Sequence, residues 1–317
     1  MNNRILLGLD NGNKCIKTSE GYISEAGFIK SNNEPISTSN LLIYEGKFYS
    51  IGGNRLSVQM DKTVNQDAFI LSLPAIADAV NKAGIEGEAD IILGVGLPII
   101  NYGTLKRKFR EYFLRQNIEF NFNKKDYAIN IIDCRVYPQG YASLVTVFSS
   151  YRNLLCNVID IGGYTIDFFR VENGIIDVSA CYSLPNGIIT LIANIQQELL
   201  KTNIRLTETQ IQEIITGKEP VLFEADIKEV IKVMSEEYVE NILAKIQEYG
   251  FEFHNPTVFT GGGSIMLQDY IEKSNRVKYT DFLDQFANAK GFKILLEQEL
   301  RRWVYGNKKD KPLIFYG

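Results

Sequence analysis

Two short stretches far apart in the chain repeat one arrangement, and that repeat limits the available folds more than any other feature. The first, Leu9-Asp10-Asn11-Gly12-Asn13, closes the apolar run from Arg4 to Leu9; the second, Ile159-Asp160-Ile161-Gly162-Gly163, closes Leu155 to Ile161. After each aspartate comes a glycine turn and a returning strand, near Ile16 in the first case and from Ile166 to Val171 in the second. A strand, a tight glycine turn and a second strand read as a hairpin. Two hairpins on one plan predict an α/β chain of two similar domains with a cleft between them, a usual place for a ligand.

The remaining pattern alternates strands with helices. Leu41–Tyr44 and Phe48–Ile51 form a hairpin around Glu45-Gly46. Pro74 marks a helix start, with Ile76, Ala77 and Val80 on one face and Gly84 as the stop. Ile91–Leu97 is a buried strand ended by Pro98, and a helix follows from about Thr104. Ile129–Val136 is a further strand and Ala142–Phe148 a helix. From Ile188 to Gly250 helical periodicity dominates, with stripes such as Leu191, Ile192, Ile195 and Leu199 that are core faces without chemistry. Thr257–Thr260 is a strand leading into Gly261-Gly262-Gly263 and a helix, and Gly291–Tyr305 is a last helix carrying Phe292, Leu295, Leu296, Leu300 and Trp303.

Composition removes several function classes. With 317 residues, 45% of them hydrophobic, the chain is long enough for two cores. A net charge of -4 argues against direct nucleic-acid binding, which draws on a basic face. The clusters Lys106, Arg107, Lys108, Arg110 and Lys308, Lys309, Lys311 are short and read as solvated surface. Cys15, Cys134, Cys156 and Cys181 are scattered and read as reduced thiols; His254 stands apart from any ligand or nucleophile. No apolar run approaches the roughly 20 residues of a spanning helix. Met1 runs directly into a strand, with Asp10 too early for a signal peptide, so a cytoplasmic protein without membrane attachment is expected.

The turns themselves suggest phosphate chemistry. Glycine turns expose backbone N–H groups that form a nest for an anion, and Gly12, Gly162 and Gly163 let a phosphate approach the main chain. Asn13, Lys14 and Thr165 add side-chain donors. The strand-end carboxylates of Asp10 and Asp160 would repel unless a cation lay between them, and Mg²⁺ holding its own waters suits a phosphate site. The triplet Gly261-Gly262-Gly263, entering a helix, brings bare backbone against a ligand such as adenine and ribose. No GxxxxGK[ST] is present, so this is not a Walker-type loop.

Six segments also resemble a known family. LLGLDNGNKCIKT, NVIDIGGYTIDFFRV and VFTGGGSIML look like the two phosphate loops and the adenosine segment of the actin, heat-shock chaperone and sugar-kinase superfamily. YPQGYASL (Tyr137 to Leu144) and DQFANAKGF (Asp284 to Phe292) look like its two connecting segments; the latter and VGLPIINY (Val95 to Tyr102) are similar to plasmid ParM and related actin-like proteins. The resemblance implies two actin-like (ribonuclease H-like) domains with a nucleotide cleft between them. The first domain would be 1–150 plus 287–317, with a smaller edge subdomain at about 20–75, and the second 151–286. It also implies that Asp10 and Asp160 hold Mg²⁺ through water and that Gly12, Asn13, Lys14, Gly162, Gly163 and Thr165 bind phosphates. Gly261, Gly262 and Gly263 would line the adenosine, and Gln139 would position the attacking water. Some relatives carry glutamate at that last position, so a neutral amide here implies hydrolysis by orientation of water, and slow hydrolysis.

The function implied is an ATPase that polymerises with ATP and hydrolyses it to ADP in driving plasmid DNA segregation. Its partners would be further copies of itself in a filament and a small DNA-binding adaptor. ATP is preferred to GTP by resemblance alone, and GTP stays open. Two other readings also stay open: a sugar- or acetate-kinase-like phosphotransferase on the same core, and an actin-like filament of other than plasmid origin. A chaperone would need a peptide-binding domain for which the length leaves no room.

Overall fold

The computed structural model describes residues 3–218 and 223–305. The chain divides into two compact units, one of residues 1–147 and 286–317 and one of 148–285.

The first unit is built on β1 (Arg4–Asn11), an apolar strand whose Leu7 and Leu9 are completely buried. Burial of each is worth about 2 kcal/mol. β1 turns back into β2 (Cys15–Thr18) and then β3 (Ile23–Glu25), both antiparallel. Next come β4 (Gly27–Ser31) and the hairpin of β5 (Leu41–Tyr44) and β6 (Lys47–Arg55). Its turn residues Glu45 and Gly46 both have positive φ, the geometry that matches strand twist. Helix α1 (Asp67–Lys82), β7 (Glu88–Leu97), α2 (Ile99–Phe113), β8 (Arg115–Phe122), β9 (Lys125–Pro138) and α3 (Tyr141–Val145) follow. The nine strands form one sheet in the order β3-β2-β1-β7-β9-β8-β5-β6-β4, with β7 parallel to both β1 and β9.

The second unit repeats the central part of that plan. After the short helix α4 (Phe148–Tyr151), β10 (Leu155–Ile161), β11 (Ile166–Glu172) and β12 (Ile175–Leu184) form an antiparallel meander. Three helices, α5 (Ile188–Leu200), α6 (Glu208–Ile215) and α7 (Ala225–Glu248), intervene before β13 (Thr257–Thr260). Then come α8 (Gly262–Met266), α9 (Gln268–Lys273) and β14 (Thr280–Phe282). The sheet order β12-β11-β10-β13-β14, with β13 parallel to β10 and β14, mirrors β3-β2-β1-β7-β9. The repeat visible in two turns is therefore a repeat of whole sheets.

Three helix starts differ from expectation. α1 begins at Asp67, and Pro74 lies within it. The Asn65 side chain accepts the Asp67 N–H and the Tyr112 hydroxyl accepts that of Phe69, so the first turn is capped from outside despite the later proline. α2 starts directly after Pro98, not at Thr104, and the C-terminal helix (Ala287–Tyr305) starts before Gly291. Strand β8 escaped the pattern reading because its sequence RQNIEFNF buries only Ile118 and Phe120. The side chain of Trp303 and the cluster Lys308, Lys309, Lys311 lie outside the described residues. The basic residues of α2 are engaged locally: Arg107 with Glu111, Lys108 with Asp61 and Arg110 with Asp133. No helix among the described residues is long and apolar enough to cross a membrane.

Strand side chains alternate between faces. Leu7 and Leu9 enter the core with Phe69 and Ile76 of α1, while Gly8 is turned to the C-terminal helix. An added Cβ at Gly8 would stand 1.9 Å from the Ala289 carbonyl oxygen, and one at Gly291 1.8 Å from that of Ala142. The helix thus lies backbone to backbone on β1 and α3. Gly291→Ala is expected to lower stability by about 3 kcal/mol, because the obstacle is rigid main chain. Gly103→Ala, in α2 with open space around it, should instead stabilise by about 0.5–1 kcal/mol. Thermal unfolding of both variants checks the contrast, and equal effects would refute the packing argument.

Candidate functional site

In the first unit, the β1–β2 turn is closed by the Gly12 N–H donating to the Cys15 carbonyl at 3.1 Å. Asn11, buried, donates through Nδ2 to the Ala68 carbonyl at 2.8 Å, which ties the turn to the start of α1. Gly12, Asn13 and Lys14 are half-buried at its tip. Asp10 is buried at the strand end, and Gln139 Nε2 donates to its Oδ1 at 3.0 Å. These two positions, remote in sequence, are therefore in direct contact. The Gln139 N–H bonds the Leu97 carbonyl at 2.8 Å, while the next N–H, of Gly140, donates to Asn288 Oδ1 at 2.8 Å. Ser143 Oγ donates to that same oxygen at 2.7 Å. Asn288 thus fixes the connection on which Gln139 stands.

Two lysines beside this turn were not singled out from sequence. Ladder register sets Lys17 opposite Asp10. Opposite residues share a face with Cβ atoms about 5 Å apart. Lys17 is buried, as are its neighbours Ile16 and Thr18, and a charge in such a strand was the available signal. Its ammonium and that of Lys14 both pull down the Cys15 thiol pKa, which burial raises. The second is Lys62, from the segment before α1, which shares a small pocket with Asn11, Gly12 and Asn13. Burial pushes its ammonium down to about 8, the Asp10 carboxylate opposing that shift.

In the second unit, Asp160 is buried at the end of β10. The Gly162 N–H donates to the Thr165 carbonyl at 2.9 Å. Outside the turn, the N–H groups of Gly187, Ile188 and Ile189 donate to Tyr164, Gly162 and Gly163, so the start of α5 braces it. The glycine triplet reaches the same place. Gly261 has φ of +86°, and a Cβ there would stand 2.3 Å from Asp160 Oδ1; one at Gly263 would meet Ile161 at 2.6 Å. Only glycine permits this approach. The structure thus groups Asp160, Gly162, Gly163 and Thr165 with Gly261, Gly262 and Gly263.

Asp167 also stands here. It lies opposite Asp160 in the β10–β11 ladder, buried, and accepts the Thr165 hydroxyl at 2.9 Å. Burial raises its pKa, with bonds from Ser183 and Thr165 pulling the other way. Its signal was an acid between buried Ile166 and Phe168. The first turn accordingly collects cations at Lys14, Lys17 and Lys62, and the second collects carboxylates at Asp160 and Asp167. Among the described residues no group of three or more His, Cys, Asp or Glu side chains could enclose a metal ion.

The raised pKa of Asp167 has a defined consequence for stability. Folding favours its neutral form, so its contribution is fully present below the ordinary carboxylate pKa and is lost as pH rises through the folded value. Asp167→Asn should therefore gain stability over wild type at neutral pH and above, the gap shrinking as pH falls toward the ordinary carboxylate pKa of about 4. Melting temperatures across that range, without divalent cations or nucleotide, test this; a constant gap would contradict it.

Residues 8–141 match the family model for the N-terminal domain of actin-like proteins. Residues 158–273 match that for the C-terminal domain of archaeal MreB-like actin homologues. No curated protein sequence matches significantly. Among solved structures, the archaeal actin homologue Ta0583 in complex with ADP is similar over 93% of this chain and 99% of its own, at 20% identity and a TM-score of 0.72. ParM of Bacillus thuringiensis with ATP is similar over 94% of this chain and all of its own, at 15% identity and a TM-score of 0.71. A 15-stranded ParM filament from Clostridium botulinum gives the same coverage, identity and score. With both halves matched in order and the two repeated sheets in place, the chain belongs to the actin-like proteins.

Proposed function

We propose that the protein is a filament-forming ATPase, assembling with ATP and hydrolysing it to ADP and phosphate. The observation that carries this reading is the direct bond from Gln139 to Asp10 at the end of a glycine turn, with a second aspartate-glycine turn of the same plan in the other unit. Polyphosphate would be held by the backbone of Gly12, Gly162 and Gly163 with Asn13, Lys14, Lys17 and Thr165, and adenosine by Gly261, Gly262 and Gly263. Asp10 and Asp160 would hold Mg²⁺ through its waters. That ion would neutralise charge developing on the transferred phosphoryl group.

The residues' own work is orientation. Gln139 has no proton-accepting carboxylate, so its amide can align a water without deprotonating it. Lys14 and Lys17 offset negative charge beside the turn. Phosphoryl transfer asks mainly for positioning and charge compensation, and both are available from this set. The filament reading rests on family membership together with the ParM filament among similar structures. A role in moving plasmid DNA through a small DNA-binding adaptor is the further reading, and a net charge of -4 suits an indirect link to DNA better than a direct one.

Sedimentation and light scattering with Mg-ATP, Mg-ADP and no nucleotide, followed alongside phosphate release, test the proposal. Pelleting that depends on ATP, with phosphate release trailing it, is expected; nucleotide binding without pelleting at any concentration would reject the filament and direct attention to small-molecule phosphoryl acceptors. Gln139→Ala should slow phosphate release by about 10- to 100-fold while leaving ATP affinity nearly unchanged. Asn288→Ala should act in the same direction by several-fold, through kcat and not KM, since it removes the acceptor that holds the Gly140 N–H and the Ser143 hydroxyl. Loss of binding in either variant would place these residues in ground-state contact instead.

A further inference from the structure

We propose that Lys62 is a phosphate-binding residue of the first turn, delivered from the segment joining β6 to α1. The inference rests on the nucleotide reading above and assigns that site a ligand from outside both glycine turns.

Three observations carry it. The pocket that Lys62 lines with Asn11, Gly12 and Asn13 measures about 30 Å³. That volume admits one or two water-sized groups, the scale of phosphate oxygens. The segment is also pinned so that its side chains diverge. Asp61 bonds Lys108 of α2 at 2.7 Å and accepts both the N–H and the hydroxyl of Thr63, at 2.9 and 2.6 Å. Asp61 is held toward α2 while its neighbour Lys62 enters the pocket. Lastly, among the described residues Lys62 makes no ion pair within 4.0 Å, although it lies within electrostatic reach of Asp10. Asp10 is already bonded by Gln139 and faced by Lys17. The other acid on the pocket, Asp67, accepts from Asn65 Nδ2 at 2.8 Å. A half-buried cation on the pocket that the glycine turn lines, with the neighbouring acids engaged elsewhere, is arranged for an incoming polyanion.

The same geometry gives the residue a second property. Lys62 stands on a connecting segment, whereas Lys14 and Lys17 stand on the hairpin itself. Phosphate bound to both would tie residues 56–66 to the β1–β2 turn.

The test is equilibrium binding of Mg-ATP, Mg-ADP and adenosine to wild type, Lys62→Gln and Lys62→Arg, together with acylation of Lys62 in wild type using an amine-reactive reagent. A charge-assisted contact predicts about 10- to 100-fold weaker binding of both phosphorylated ligands to Lys62→Gln, unchanged adenosine binding, and partial recovery in Lys62→Arg. Mg-ATP should shield Lys62 from acylation where adenosine does not. Equal Mg-ATP affinity in wild type and Lys62→Gln would overturn the assignment, as would equal weakening of all three ligands. If Lys62→Gln fails to fold, the wild-type labelling decides: acylation unchanged by Mg-ATP overturns the inference, and selective protection supports it. Wild type that binds none of the phosphorylated ligands would remove the nucleotide reading itself, a result separate from failure of Lys62 alone.

Discussion

The first unit depends on a helix lying directly on a strand. Gly8 and Gly94 face the backbone of the C-terminal helix, and Gly96 faces the Phe292 ring, each too closely to admit a Cβ. Gly291 lets the same helix settle on the Ala142 carbonyl. Packed interiors resist displacement because their atoms have no room to yield. Asn288, one turn before Gly291 on this helix, is therefore held where its side chain meets the Gly140 N–H and the Ser143 hydroxyl. Gln139 is adjacent, and Asp10 is its partner. A chain of contacts thus runs from glycine packing to the carboxylate at the strand end.

The second unit reaches a similar end by a shorter route. Gly261 and Gly263 press against Asp160 and Ile161 without an intermediary. What differs is the charge around the two turns. Burying a carboxylate is costly unless something answers its charge. Lys17 faces Asp10 across the ladder within the first unit, and Gln139 bonds the Asp10 Oδ1. Asp160 instead has a second carboxylate across the ladder at Asp167, whose pKa burial raises. The side-chain charge gathered at the two turns thus differs, although their backbones follow one plan.

Legibility in the sequence followed the range of the interaction. β1 and β10 could be read because buried strands are continuous apolar runs, and the glycine turns because backbone shape selects glycine locally. The start of α1 could not, since its first turn is secured by Asn65 and by Tyr112 from another helix, which overrides the local sense of Pro74. Strand β8 alternates too weakly to declare itself and is fixed by pairing with β5 and β9. At the candidate site the same division holds. Asp10, Gly12 and Asp160 were evident from position on the turns, and Gln139 required the resemblance. Lys17 was concealed by hairpin register and Lys62 by its distance along the chain, both matters of tertiary placement.

The amide at position 139 has a physical explanation in this arrangement. Its nitrogen is 3.0 Å from Asp10 Oδ1. A glutamate in the same conformation would bring two carboxylates to hydrogen-bond distance, which is tolerable only with a proton or a cation between them. Glutamine forms the contact without either, so the pair can be made before any ligand arrives. The same bond directs one Nε2–H at Asp10, leaving the amide oxygen to accept from a water. A water-orienting role then needs no change of protonation at residue 139, only that Asp10 and Asn288 keep the amide in place. Substitution by glutamate would exchange that ready-made contact for a stronger base whose position depends on what else is bound.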